Sequence, residues 1–291
     1  YAKTGGLTDA VSALSRTVAS RGHRTTIVIP RYRWIDIPDT EPSETRILDG
    51  LEPISYRIRY GEDEQVRMAF VESELFADRA GIYGDGPDTE YPDNALRFSV
   101  LGHAACLIAH DSEAEGVVLH GHDWPAAVAL GLNRCAPKRK RVASVLTIHN
   151  AAYEGVFSKH DFHYTSLPAD AFGAVRPRLA GEDVIRFLDV ASACADEVTT
   201  VSPGYAHDLE RGLGNPRIAE LLGHRPLTGI LNGVDYTIWD PTDDSLLPAP
   251  YSSVDLSGKP VCKITLQQEF GLEVDPTVPV VGMVARLVEQ K

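Results

Sequence analysis

Short β-branched runs alternate with stretches of helical period along most of this chain, and nearly every run ends in glycine and polar residues. That alternation constrains the fold more than any other feature. Strands too short to bury a helix alone, separated by helices, assemble as parallel βαβ units, and ligands then sit at the strand C-terminal ends. Leu7, Val11, Leu14 and Val18 recur at helical spacing, with Gly22 closing that helix, and Arg24 to Pro30 reads as a strand. ISYRIRY and VRMAFV, between Ile54 and Val71, alternate in polarity about Gly61 and read as a hairpin. Phe98, Leu101, Ala105 and Ile108 mark a helix, followed by a strand over Gly116 to Leu119. Then come a helix from Pro125, a strand Val142 to Ile148, a helix through Ile185 to Ala195 and a strand Glu197 to Val201. A helix after Pro203 leads to a short strand at Gly229 to Leu231. The expected class is α/β, a Rossmann-like parallel sheet.

A length of 291 residues suggests about two domains. Asp240 to Lys259 is rich in Pro, Asp and Ser, a surface connection. After it the pattern predicts one helix, Val261 to Phe270, and one strand, Val278 to Ala285. The expected division is residues 1–245, a linker at 246–258, and the opening of a second α/β domain at 259–291. The start at Tyr1, directly on a glycine-rich motif, and the stop at Lys291 read as a piece of a longer chain.

Charge narrows the partners. The net charge of −13 repels nucleic acid and anionic lipid, and the tetrad Lys138 to Arg141 reads as a solvated stretch rather than a binding patch. Cys106, Cys135, Cys194 and Cys262 are far apart, which fits neither a zinc site nor a disulfide framework and points to a reducing, cytoplasmic setting. No apolar run is long enough for a membrane span. His120 and His122 are expected on opposite faces of their strand, and no metal or other cofactor is called for. The sequence leaves the oligomeric state open.

The candidate chemistry lies in the clusters between elements. Lys3, Gly5 and Gly6 precede the first helix, where paired glycines admit a ligand to the backbone and the helix N-terminus favours an anion; most such pairs are only turns. In Gly121-His122-Asp123-Trp124-Pro125, Asp123 is either a helix cap or a carboxylate for a sugar hydroxyl, and spacing alone favours the cap. His149 and Asn150 end a strand in the expected ligand crevice. Asn232, in Asn-Gly-Val-Asp, is a turn signal first and a ligand contact second. Neither a serine-hydrolase elbow nor a zincin motif is present.

Taken in order, KTGGLTDAV, Tyr83-Gly84-Asp85, YPDNALRF, GHDWPAA, LTIHNAAYEG, TTVSPGYAHDL, LTGILNGVDYTIWDP and VARLVEQK resemble the glycogen/starch synthase family. Each motif alone is weak, but the ordered series is specific and spans essentially the whole chain. The resemblance implies a two-domain GT-B glycosyltransferase that moves glucose from ADP-glucose to an α-1,4-glucan with retention of configuration. It implies that Lys3 and the Gly5-Gly6 loop approach the donor phosphates and that Tyr83 lines the donor site. Asp123, His149 and Asn150 would contact the sugar or acceptor, and Asn232 the transferred glucose. Arg286 and Lys291 would clamp the diphosphate, so no metal is implied. Two departures stand out: Pro125 after His-Asp-Trp, and Glu154 where Gln is common, either of which would alter acceptor contacts. A UDP-sugar enzyme of sucrose synthase type and a non-catalytic glucan- or nucleotide-binding module stay open as alternatives. The 291 residues alone are expected to be inactive.

Overall fold

A computed structural model describes residues 5–37, 45–48, 53–86, 89–137, 142–168, 183–223 and 225–285. Lys3, Arg286, Lys291 and the Lys138 to Arg141 tetrad lie outside those residues. The chain divides into two compact units, residues 1–233 and 234–291.

The first unit holds two four-stranded sheets. Helix α1 (Gly5–Ser20) stops where Gly22, at φ +88°, donates its N–H to the Ala19 carbonyl at 2.9 Å, a left-handed turn that glycine takes without strain. Strand β1 (Thr25–Pro30) then pairs parallel with β4 (Val66–Glu72). β4 is antiparallel to β3 (Ile54–Asp63), the expected hairpin, and β2 (Arg46–Leu48) adds an outer strand to β3. Met68, Ala69, Phe70 and Val71 of β4 are buried on both faces and form a core with Tyr56, Ile58, Phe76 from the short helix α2 (Glu74–Ala77), Val100 and Ala104.

The second sheet has the strands β5 (Val117–His122), β6 (Val142–Ile148), β9 (Glu197–Thr200) and β10 (Thr228–Gly229). It is wholly parallel, in the order β10-β9-β6-β5. Helix α3 (Asn94–Asp111) serves both cores: Ala95 and Phe98 enter one, Val100 and Ala104 the other. It packs against α4 (Ala127–Cys135) at Gly102, where a Cβ would lie 2.7 Å from Val128 Cβ, so only glycine allows that approach. The parallel core gathers Leu130, Leu146, Ile148, Phe157, Phe187 and Leu188. The α/β class with a parallel sheet is therefore what the alternation implied.

Three differences from the sequence reading have physical causes. The helix expected from Ile185 begins at Phe187, as α5 (Phe187–Cys194), because Val184, Ile185 and Arg186 form strand β8 (Val184–Arg186), antiparallel to β7 (Val156–Ser158). Two adjacent β-branched residues favour a ladder once a partner is available. Helix α6 (Pro203–Glu210) follows β9 as expected, but a further helix, α7 (Pro216–Leu222), was not foreseen. Asn215 starts it, accepting the Arg217 and Ile218 N–H groups, a cap readable in Asn-Pro.

In the second unit, α8 (Lys259–Glu269) matches the expected helix, but the strand expected at Val278 to Ala285 is not formed. A strand needs a ladder, and among the described residues none is offered to it. Val281 and Val284 are instead exposed, and Lys263 Nζ donates to the Pro276 and Val278 carbonyls. No helix among the described residues is long and apolar enough to cross a membrane.

Candidate active site at the ends of β5 and β6

Two neighbouring parallel strands stop together here. Strand β5 runs to His122, and the chain turns at Asp123 into a short 3-10 turn, Trp124–Ala126, that leads into α4. Gly121 allows the turn to fold back, since a Cβ there would lie 2.6 Å from Ala126 Cβ. Asp123 has φ +55° and ψ −167°, a backbone region that is essentially reserved for glycine. Holding an aspartate there costs on the order of 1–3 kcal/mol, and such strain persists where its surroundings impose it.

The surroundings are explicit. The Asp123 N–H donates to the Thr147 carbonyl at 3.0 Å, and its carboxylate Oδ1 accepts from the backbone N–H of His149 (2.7 Å) and of Asn150 (3.3 Å). The side chain makes no capping bond to the turn that follows. The capping reading, favoured by spacing, is therefore wrong: the carboxylate faces across to the end of β6, not along its own chain. Burial pushes its pKa up to about 6, opposed by those two donors.

His149 and Asn150 continue from β6. His149 Nε2 lies 3.1 Å from His122 Nδ1, and burial together with nearby His120 lowers its pKa to about 4. The imidazole is thus neutral near pH 7, able to hydrogen-bond a hydroxyl without presenting charge. Asn150 turns its Oδ1 back to the Ala152 N–H at 3.1 Å. Tyr83 packs on Phe98 and Trp124, with ring centroids 5.6 Å away in both cases, and its carbonyl is held by Asn94 Nδ2 at 2.8 Å. Burial first, and the Asp123 carboxylate second, push the Tyr83 phenol up. The structure thus brings Asp123, His149, Asn150 and Tyr83 into one neighbourhood.

The remaining expected residues are more scattered. Gly5 and Gly6 open α1, and a Cβ on Gly6 would meet nothing within 4 Å, so packing does not require glycine there. Asn232 is exposed, just past β10. Glu154 is taken up internally: Arg186 Nε donates to its Oε2 at 2.9 Å and Asn215 Nδ2 to its Oε1 at 2.8 Å. Neighbouring Gly155, at φ +63°, passes so close to Trp124 that a Cβ would come within 2.6 Å of the indole.

Sequence reasoning missed the histidines behind His149. His120 and His122 are not on opposite faces; residues two apart in a strand share a face, and their rings stand 4.3 Å apart. Recognising that β5 extends to His122 was enough to find them. Among the described residues no group of three or more His, Cys, Asp or Glu is placed to hold a metal ion.

A family model described as starch synthase catalytic domain matches residues 1–224. The glycogen synthase of Treponema denticola is 39% identical over all of this chain and 61% of its own length. That of Anaeromyxobacter sp. (strain Fw109-5) is 40% identical, again over all of this chain and 62% of its own. The chain therefore spans about three fifths of the length of these relatives. Among solved structures, the catalytic domain of starch synthase IV from Arabidopsis thaliana, bound to ADP and acarbose, superposes with a TM-score of 0.72 at 27% identity. That match covers 93% of this chain and 57% of the other.

Proposed function

This chain belongs to the starch synthase catalytic domain family, and from that membership we propose that it forms the first part of a retaining glucosyltransferase. The donor is ADP-glucose and the acceptor the non-reducing end of an α-1,4-glucan. The observation that carries the reading is the cluster at the ends of β5 and β6. There a strained Asp123 and a neutral His149 are locked to each other where a parallel sheet presents its ligands.

The chemistry demanded is modest in covalent terms. A glucosyl group with oxocarbenium character must be steadied while ADP departs. Fixed polar groups aimed at the sugar hydroxyls and a basic clamp on the diphosphate meet that demand. His149 and Asn150 are the groups for the hydroxyls, and Asp123 orders both through their backbone N–H groups. Tyr83, Lys3, Gly5, Gly6 and Asn232 are assigned to the donor side. Arg286 and Lys291 are assigned to the diphosphate, with no metal in the scheme. The domain boundaries carried by this reading are 1–245, 246–258 and 259–291.

The test is nucleoside diphosphate release by the product of the complete open reading frame, supplied with glucan and either ADP-glucose or UDP-glucose. ADP-glucose is expected to be preferred, and the 291-residue chain alone is expected to be inactive. Arg286→Ala is expected to lower turnover more than Lys291→Ala, and Arg286→Lys to rescue only in part, because a guanidinium holds phosphate oxygens in a fork. Preference for UDP-glucose would favour the sucrose synthase-like alternative. Binding of glucan or nucleotide without transfer would favour the non-catalytic one.

A further inference from the structure

We propose that His122 is the positioning residue for His149, setting which nitrogen of the His149 ring carries the proton and which way that ring faces. The proposal rests on the glucosyltransferase reading only for the role of His149; the placement of the two rings stands apart from it.

A run of polar contacts backs the pair. Thr199 Oγ1 lies 3.3 Å from the Leu146 carbonyl oxygen and 2.8 Å from Thr147 Oγ1, which in turn lies 2.7 Å from Nε2 of His120. The His120 ring stands 4.3 Å from that of His122, tilted by 31°. His122, braced on that side, meets His149 edge-on, Nδ1 to Nε2 at 3.1 Å. Two neutral imidazoles in such a contact share one proton, so His149 Nε2 is committed to His122 and only Nδ1 is left for a ligand. The His149 backbone is held independently by Asp123 Oδ1, so ring and main chain have separate anchors.

The groups around His149 come from several elements. His120, His122 and Thr147 lie on β5 and β6, Asp123 follows β5, and Thr199 lies on β9. Tyr205 on α6 accepts the Ala151 N–H at 2.9 Å, and Tyr83 stands by Asp123. No cation is among these groups, and a proton on one imidazole opposes a proton on the next; His122 and His149 are both held below the ordinary histidine range.

The experiment reads imidazole ¹⁵N shifts of His149 across pH in the 291-residue chain, and kcat and KM in the product of the complete open reading frame. Three forms are compared: wild type, His122→Phe and His122→Asn. Asparagine keeps an amide atom where His122 Nδ1 stood. In His122→Phe, the His149 shifts are expected to move from one tautomer towards a mixture, with kcat falling about 10²-fold, the scale of a small misplacement, and KM changing less. His122→Asn is expected to restore the tautomer and most of kcat. Unchanged His149 shifts in a folded His122→Phe, or an Asn variant as poor as Phe in both readouts, would overturn the proposal. If the wild type transfers no glucose, the functional reading fails, while the ¹⁵N shifts still decide whether His122 orders His149.

Discussion

The two four-stranded sheets of the first unit follow the same building rules but use their strand ends differently. In the mixed sheet, β4 passes through the core with Met68, Ala69, Phe70 and Val71 almost wholly covered, and its last residue, Glu72, is met by Arg31 and Arg59. Among its described residues, only Glu64, in the tight turn between β3 and β4, is a non-glycine residue with positive φ, at +55°. In the parallel sheet, β5 and β6 end in three histidines, an aspartate in a glycine-like conformation and an asparagine. Those residues gain little from apolar burial, and burial displaces the protonation of Asp123, His122 and His149. Local cost concentrated in one sheet and nearly missing from its neighbour is how a site differs from scaffold.

That contrast can be broken by mutation. The largest effect on stability is expected at Phe70→Ala in the scaffold sheet, about 3–5 kcal/mol, read as a lower urea midpoint, with little change in kcat for the protein that stays folded. Gly155→Ala comes next, at about 2–3 kcal/mol, because the new methyl meets the Trp124 ring at a positive φ. Asp123→Gly is expected to be more stable than Asp123→Ala by about 1 kcal/mol, since both lose the carboxylate but only glycine relaxes the backbone. Equal midpoints for that pair would remove strain from the account.

The smallest effect is in the pH dependence. His149, neutral in the fold down to about pH 4 and ordinarily near 6.5, binds fewer protons folded than unfolded across that window, so its contribution to stability rises with pH there. His122 acts in the same direction. Asp123, raised from 3.8 to about 6, acts oppositely, binding more protons when folded. His120 and His103, also lowered by burial, act with His149 and His122, and four histidines against one aspartate predict a net rise in stability from about pH 4 to 6.5. His149→Gln is expected to flatten that rise, measured as urea midpoints across the window, and an unaltered slope would contradict the assignment.

Much of this was legible in the sequence because periodicity reports burial. The hairpin, α1, α3 and the Val142 to Ile148 strand were readable from their apolar spacing. What escaped depended on partners distant in sequence. Val184 to Arg186 is a strand only because Val156 to Ser158 lies beside it, and Val278 to Ala285 has strand-like residues without a ladder. At the site, His149 and Asn150 could be placed at a strand end by pattern. The direction of the Asp123 carboxylate could not, because its partners lie 26 and 27 residues away. His122 was overlooked through an error of strand geometry, not for want of a signal.

The central claim is that the ends of β5 and β6 serve chemistry rather than stability. The measurement that tests it most directly pairs kcat for glucosyl transfer with the urea midpoint in Asp123→Ala and His149→Ala, made in the product of the complete open reading frame. Each is expected to lower kcat by about 10²-fold or more while the midpoint moves far less than in Phe70→Ala. Near-normal turnover in both variants, or a loss of turnover that follows the loss of fold, would contradict it.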